Sequence, residues 1–251
     1  MVCCHQINAL INVSSIEELW GLHTQQMASY GFDRILYGFT HYRTSTSLGD
    51  PDDFIVLTNH DREYTDLYMG EGLYAHAPMV RWALEHEGAC SWSVLDRMLD
   101  EGVLNDCERR VIEFNHSQGV KAGYSISFKS ISKRTKGAIA LTGRRGLDQA
   151  AVDAIWKEHG QDIMALNNIV HLRIQTLPYS TEKRSLTRRQ REVLGWVGDG
   201  KTIQDIALLL SLNPATVEKH LRLAREALGV ETTAQAVLKA AFQNQMFVLD
   251  L

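Results

Sequence analysis

From Ser15 onward, apolar residues return at near-helical intervals. In SIEELWGLHTQQMASYG, Leu19, Leu22, Met27 and Tyr30 form an imperfect stripe. Ser15 stands where a helix cap belongs, with Glu18 at the capping-box position. The pattern then switches to alternation in FDRILYGFTHYR and to a short strand-like run in DFIVLT. Helical segments are predicted around 61–73, 78–87 and 104–117, followed by two strands, AGYSISFKS and KGAIALTG, joined by a turn around SKRT. A long amphipathic helix over about 147–175 carries Val152, Ile155, Trp156, Ile163, Leu166, Ile169 and Val170. The order helix, strands, helices, strands, helix predicts an α+β fold: an N-terminal α/β/α sandwich with an antiparallel sheet.

The polar stretch TLPYSTEKRS, residues 176–185, reads as a linker between a domain at 1–175 and another at 186–251. Beyond it every element reads as helix, which predicts a C-terminal all-α four-helix domain. One helix starts at Thr187 and stops at Gly200, and a second is capped by Thr202. The third has Asn213 as cap, Pro214 at its first position and Gly229 past its end; the fourth runs from about Thr232 to Gln243. Two short capped helices joined by a tight turn form a helix-turn-helix pattern. In the third helix Val217, Leu221, Ala224 and Leu228 fall on one side. Thr216, Glu218, Lys219, His220, Arg222 and Arg225 are left on the other. That outer set suits a major-groove reader: Arg can pair bidentately with guanine, Glu can accept from cytosine, and Lys and Thr can hold phosphates. A plain solvated helix face would show the same periodicity.

Charge supports the division weakly. The net charge is -4, but residues 182–251 hold 10 Lys/Arg and 8 Asp/Glu, while the rest of the chain is acidic. Hydrophobic content of 45% is ample for a core. No run is long and apolar enough for a transmembrane helix, and the start lacks a basic n-region and cleavage site, so the expectation is a cytoplasmic protein without a membrane partner. Cys3, Cys4, Cys90 and Cys107 include no C-x-x-C and read as free thiols. The ten histidines show no metal spacing, and no P-loop, G-x-S-x-G or H-E-x-x-H occurs. The chain is therefore not expected to be an enzyme or to carry a metal or cofactor.

One segment stands apart: EYTDLYMGEGLYAHAPMV, residues 63–80. Tyr64 and Tyr68, four apart, would share a helix face. Ala77 precedes Pro78, so a helix starting at that proline would have alanine as its cap, giving up roughly 1 kcal/mol. Ordinary core packing would account for the two tyrosines on spacing alone.

The C-terminal stretch LTRRQREVLGWVGDGKTIQDIALLLSLNPATVEKHLRLAREALGV resembles the DNA-binding domain of LuxR-type transcription regulators over about 65 residues. The T-V-x-x-H and L-G-V elements carry the likeness. Of the family's Glu, Leu and Gly fingerprint, Leu194 and Gly200 are kept and Gln190 replaces the Glu; Arg188 and Ala227 also depart from the pattern. The resemblance implies that Glu218 and Arg222 lie near base edges of double-stranded DNA, with Thr202, Thr216 and Lys219 on the backbone and Arg225 on the same outer face. The first half lacks the alternating order and early paired acids of a phosphoacceptor receiver.

Residues of about 10–175 resemble instead the autoinducer-binding domain of quorum-sensing LuxR-type receptors. Tyr68, Pro78, Trp92 and Gly123 match the family pattern; Tyr64 stands for its Trp and Ala77 for its Asp. The HAPMV wording resembles an alphaproteobacterial subgroup lacking that acid. The resemblance implies an N-acyl-homoserine lactone as ligand, a homodimer on a palindromic site, and RNA polymerase as a further partner. Tyr64 would donate to the lactone carbonyl, Tyr68 to the amide carbonyl, and Trp92 would flank the ring. Ala77 accepts nothing, and an unpaired buried amide N–H costs about 1–3 kcal/mol. His76, Ser125, Thr142 or a water would have to accept from it, or the ligand lacks that donor. An orphan regulator, independent of ligand or answering another small molecule, is the alternative.

Overall fold

The computed structural model describes residues 4–130, 132–179 and 184–246; Cys3 and the linker positions 180–183 lie outside that range. The chain forms two compact units. One is built on residues up to Asp50 and on Phe54–Ile174, the other on Pro51–Asp53 and the chain from Gln175.

The first unit holds a five-stranded antiparallel sheet in the order β2-β1-β5-β4-β3, comprising β1 (Phe32–Thr40), β2 (Ile55–Thr58), β3 (Gly88–Ser91), β4 (Gly123–Ser127) and β5 (Lys136–Gly143). The central pairing sets Phe32 opposite Gly143 and Thr40 opposite Lys136, and β4 sets Gly123 opposite Thr142. Side chains alternate across the sheet. On one face Ile139 and Leu141 are fully buried, under α2 (Ile16–Ser29) and α7 (Gln149–Ile174), with α1 (Cys4–Ile11) packed on both. His23 and Asn167 bridge α2 and α7 through a 3.1 Å hydrogen bond, and Asn167 Nδ2 donates to the Ile163 carbonyl. His171 of α7 shares a 2.8 Å bond with the Tyr37 hydroxyl and stacks on Phe128.

The other face is covered by α3 (Arg62–Thr65), α4 (Pro78–Glu85), α5 (Ser93–Asp100) and α6 (Asp106–Ser117). Here the helix expected over 61–73 breaks into three pieces. A single α turn is followed by a π turn at Asp66–Gly70 and a 3-10 turn at Leu73–His76. Gly72 between them adopts φ +75, a left-handed conformation that ends a helix at no Cβ cost. Ala77 is the N-cap of α4 and, as expected, makes no side-chain capping bond. The sequence pattern did not reveal α1, β3 or α5: β3 is a four-residue strand at the sheet edge, and α5 follows Trp92 with no capping side chain there.

The second unit contains α8 (Arg188–Gly198), α9 (Ile203–Leu209), α10 (Pro214–Leu228) and α11 (Thr233–Phe242). The caps foreseen at Thr187, Thr202, Asn213 and Thr232 all accept a backbone N–H. Val217, Leu221, Ala224 and Leu228 are buried with Val193, Leu194 and Ile206 in one core. Gln190, in the place of the family's Glu, is buried and completes a capping box, accepting the Thr187 N–H at 2.7 Å.

Candidate functional site

A cavity of about 170 Å³ lies inside the first unit, between the sheet and the α3–α6 layer. Small residues on the sheet side make the room: Gly38 on β1, and Ala138 and Ala140 on β5. Apolar side chains such as Leu36, Val56, Met79 and Val80 form most of the remaining wall.

Of the residues singled out from sequence, Tyr64, Tyr68, Ala77, Pro78, Trp92, Ser125 and Thr142 line this cavity. The π turn keeps Tyr64 and Tyr68 together, their rings 5.3 Å apart and nearly parallel. The Tyr64 hydroxyl is already committed, donating to Asn115 Oδ1 at 3.0 Å. The Tyr68 hydroxyl has no partner among the described residues. Burial pushes both phenols above their ordinary range, so they are donors at neutral pH. Trp92 donates its indole N–H to Ser125 Oγ at 2.9 Å, which leaves the Ser125 proton to be given to something else. Thr142 Oγ1 is buried without a hydrogen-bond partner.

His76 and Gly123 do not line the cavity. His76 is exposed, because the 3-10 turn ends with its side chain on the outer surface, and so it cannot replace the acid missing at Ala77. Gly123 acts one step back. A Cβ there would collide with the Leu141 carbonyl oxygen and stand 2.8 Å from the Trp92 ring. The Gly123 backbone accepts the Trp92 N–H at 3.0 Å, and both its polar groups are clamped by the Gln149 side chain at 2.9 and 3.2 Å.

Asn115, His60 and Lys136 also line the cavity, and none was picked out from sequence. His60 stacks on Tyr64 with ring centroids 4.4 Å apart, and burial, aided by Arg34, lowers its pKa to about 4. Its ring is therefore neutral. The alternation of Lys136, Ala138, Ala140 and Thr142 along β5 was the signal that could have found this wall. No carboxylate lines the cavity among the described residues. Hydroxyls, an amide, a neutral imidazole and a lysine in a mostly apolar enclosure can hold an amphiphile by its oxygen atoms.

In the second unit, Glu218, Lys219 and Arg222 are exposed on α10, with Thr216 and Arg225 half-buried beside them. Thr202 and Thr216 already use their hydroxyls locally, on Asp205 and Asn213. Arg222 pairs with Glu226, and Arg225 donates to Thr233 Oγ1 at 3.0 Å, tying α10 to α11. The α9–α10 turn passes through Ser211 at φ +53.

Residues 15–174 match the family model described as "Autoinducer binding domain", and residues 184–240 match "Bacterial regulatory proteins, luxR family". The chain belongs to the LuxR family of bacterial transcription regulators. Both matched domains are regulatory, and the LuxR-family chain is not an enzyme. It is 24% identical to the transcriptional activator protein AnoR of Acinetobacter nosocomialis over 238 residues, covering 93% of this chain and 94% of that protein. Its fold is similar to that of SdiA solved in complex with octanoyl-rac-glycerol, with a TM-score of 0.52 at 16% identity over 96% of this chain and 93% of that one. It is also similar to CepR2 of Burkholderia cenocepacia, an N-acylhomoserine lactone-dependent LuxR-family factor (TM-score 0.52, 16% identity, 67% and 91% covered). Among the described residues no helix of this regulator is long and apolar enough to cross a membrane.

Proposed function

We propose that this LuxR-family regulator takes an N-acyl-homoserine lactone into the cavity of its first unit and binds a palindromic DNA site as a cytoplasmic homodimer, acting on RNA polymerase. The observation that carries the reading is the spare hydrogen-bonding capacity on the cavity wall, the Tyr68 and Ser125 hydroxyl protons and the unpartnered Thr142 Oγ1, within the matched autoinducer-binding region. Tyr68 and Ser125 are donors for ligand carbonyls, and Thr142 Oγ1 is the acceptor for the amide N–H that Ala77 cannot serve. Trp92 packs against the ring. Tyr64 supports Tyr68 by stacking, and its own donation to a ligand requires release from Asn115.

On the DNA side, Glu218 and Arg222 are assigned to base edges and Lys219, Thr202 and Thr216 to the backbone, with Arg225 holding α10 in place beside them. The exposed Leu172 on α7 and Leu238 and Phe242 on α11 support dimer contacts through those helices. A ligand acts by favouring one arrangement of the dimer over another.

Ala77, with no carboxylate on the cavity wall, favours a second reading in which the ligand is an acyl compound without an amide, as octanoylglycerol is in SdiA. Protein purified from a host that makes no lactone separates the two. Long- and short-chain lactones should raise its melting temperature and its affinity for operator DNA. If none does while an acylglycerol does, the second reading replaces the first. Mass spectrometry of co-purifying molecules gives an independent identification.

A further inference from the structure

The cavity is not apolar at both ends. Lys136, Ala138, Ala140 and Thr142 all line it from one strand, β5. Thr142 is opposite Arg34 of β1 and Lys136 is opposite Thr40, so they mark the two ends of the wall. The intervening strand spans ~20 Å at about 3.3 Å per residue. The hydroxyl cluster sits at the Thr142 end.

Lys136 is 91% buried. Its Nζ donates to the His86 carbonyl at 3.1 Å, and that carbonyl also accepts from Ser127 Oγ at 2.7 Å. An ammonium has three protons to give; the other two have no partner among the described residues. Among the described residues no carboxylate forms an ion pair with it. Desolvation lowers its pKa, while the charges of Glu87 and Arg43 act on it with opposite signs. A lysine at the C-terminal end of α4 gains from the helix dipole. That accounts for one N–H, not for a charged head on the wall of a cavity lined mostly by apolar side chains. Partly desolvating an ammonium that makes one hydrogen bond is unfavourable, and a charge-assisted bond to a ligand oxygen would offset that cost.

We propose that Lys136 forms a second polar subsite, and that the ligand is an acyl compound bearing an oxygen acceptor, a carboxylate above all, at the end remote from its head group. This rests on the reading that an acyl ligand occupies the cavity with its head at Tyr68, Ser125 and Thr142. The Ala138 and Ala140 stretch then holds the methylene chain.

The test is calorimetric titration of the full-length chain with two matched pairs of probes. The first is dodecanoyl-homoserine lactone and its ω-carboxy analogue. The second, methyl dodecanoate and monomethyl dodecanedioate, has no lactone. The ω-carboxylate should be preferred by about tenfold or more, the scale of one charge-assisted hydrogen bond. Lys136→Met and Lys136→Gln should bring the paired affinities close to even, and Lys136→Arg should keep the preference. Lys136→Gln retains a donor for the His86 carbonyl, so loss of the helix-end contact is separated from loss of charge. A preference within the ester pair, with no binding of either lactone, would uphold the subsite and remove the lactone reading. Plain chains bound as well as ω-carboxylated ones by the wild type would overturn the subsite, as would a preference surviving in both neutral variants or no binding by any of the four probes.

Discussion

Thr142 gives the sharpest test of the cavity, because its hydroxyl should have opposite effects with and without ligand. Oγ1 is buried with no hydrogen-bond partner among the described residues, on a residue only 1% exposed. An unsatisfied buried polar group costs about 1–3 kcal/mol. Thr142→Val removes it while keeping a β-branched side chain of similar shape in strand β5. The ligand-free variant should therefore be more stable by about 1–3 kcal/mol, which for a domain of this size is a rise in melting temperature of ~2–4 °C per kcal/mol. If Thr142 accepts the ligand amide, the same variant should lose one hydrogen bond to ligand, weakening binding by roughly tenfold. Thermal melts by circular dichroism, with and without saturating lactone, read both effects: the variant starts higher and gains less. A variant that melts lower than wild type without ligand would show that the hydroxyl is satisfied there and refute the first step. One that melts higher yet gains as much from ligand would refute the assignment of Thr142 as acceptor.

Three further outcomes follow from the geometry. Gly123→Ala should destabilise the first unit by about 1–3 kcal/mol in urea unfolding, because its Cβ meets backbone at Leu141 as well as the Trp92 ring; unchanged stability would show that the Trp92 bed yields easily. Leu221→Ala, inside the core of the second unit, should cost about 2–5 kcal/mol and lose DNA binding through unfolding, whereas Arg222→Ala should leave the melting curve intact, weaken operator binding and relax the sequence preference; unchanged operator affinity and preference in that variant would place Arg222 off the base edges. Acidification should destabilise the first unit, because burial lowers the pKa of His23 and His171 to about 4 from an unfolded value of 6.5. The unfolded chain then binds more protons, so stability is complete above pH 6.5 and falls towards pH 4, by at most about 1.4 kcal/mol per pH unit for each histidine; a pH-independent melting temperature over that window would contradict the buried, neutral assignment.

The DNA-binding half was legible nearly residue by residue. Its helices are short, capped by Thr187, Thr202, Asn213 and Thr232, and packed through a single periodic stripe, so local chemistry and the tertiary answer coincide. The first half was legible in its order of elements, and seven of the nine positions singled out in it line the cavity. It failed where local signals are weak or overridden. The run at 61–73 has helical composition, but the glycines at 70 and 72 and the packing of Tyr64 and Tyr68 resolve it into α, π and 3-10 turns. That break turns His76 outward, which no spacing rule anticipates.

The sequence alone determined the two-part organisation, the helix boundaries set by caps, the outward face of α10 and the absence of an acid at Ala77, since each of these depends on neighbours within a few residues. Only the tertiary structure decided which polar atoms are spent and which are spare. Asn115 claims the Tyr64 hydroxyl from 51 positions away, and Ser125 takes the Trp92 N–H from 33. Thr142 lines the cavity with Oγ1 unpartnered among the described residues, and Lys136 lines it with its Nζ bonded to the His86 carbonyl. Hydrogen-bond satisfaction is a property of what folding brings together across the sheet, and it is fixed by burial rather than by the order of residues along the chain.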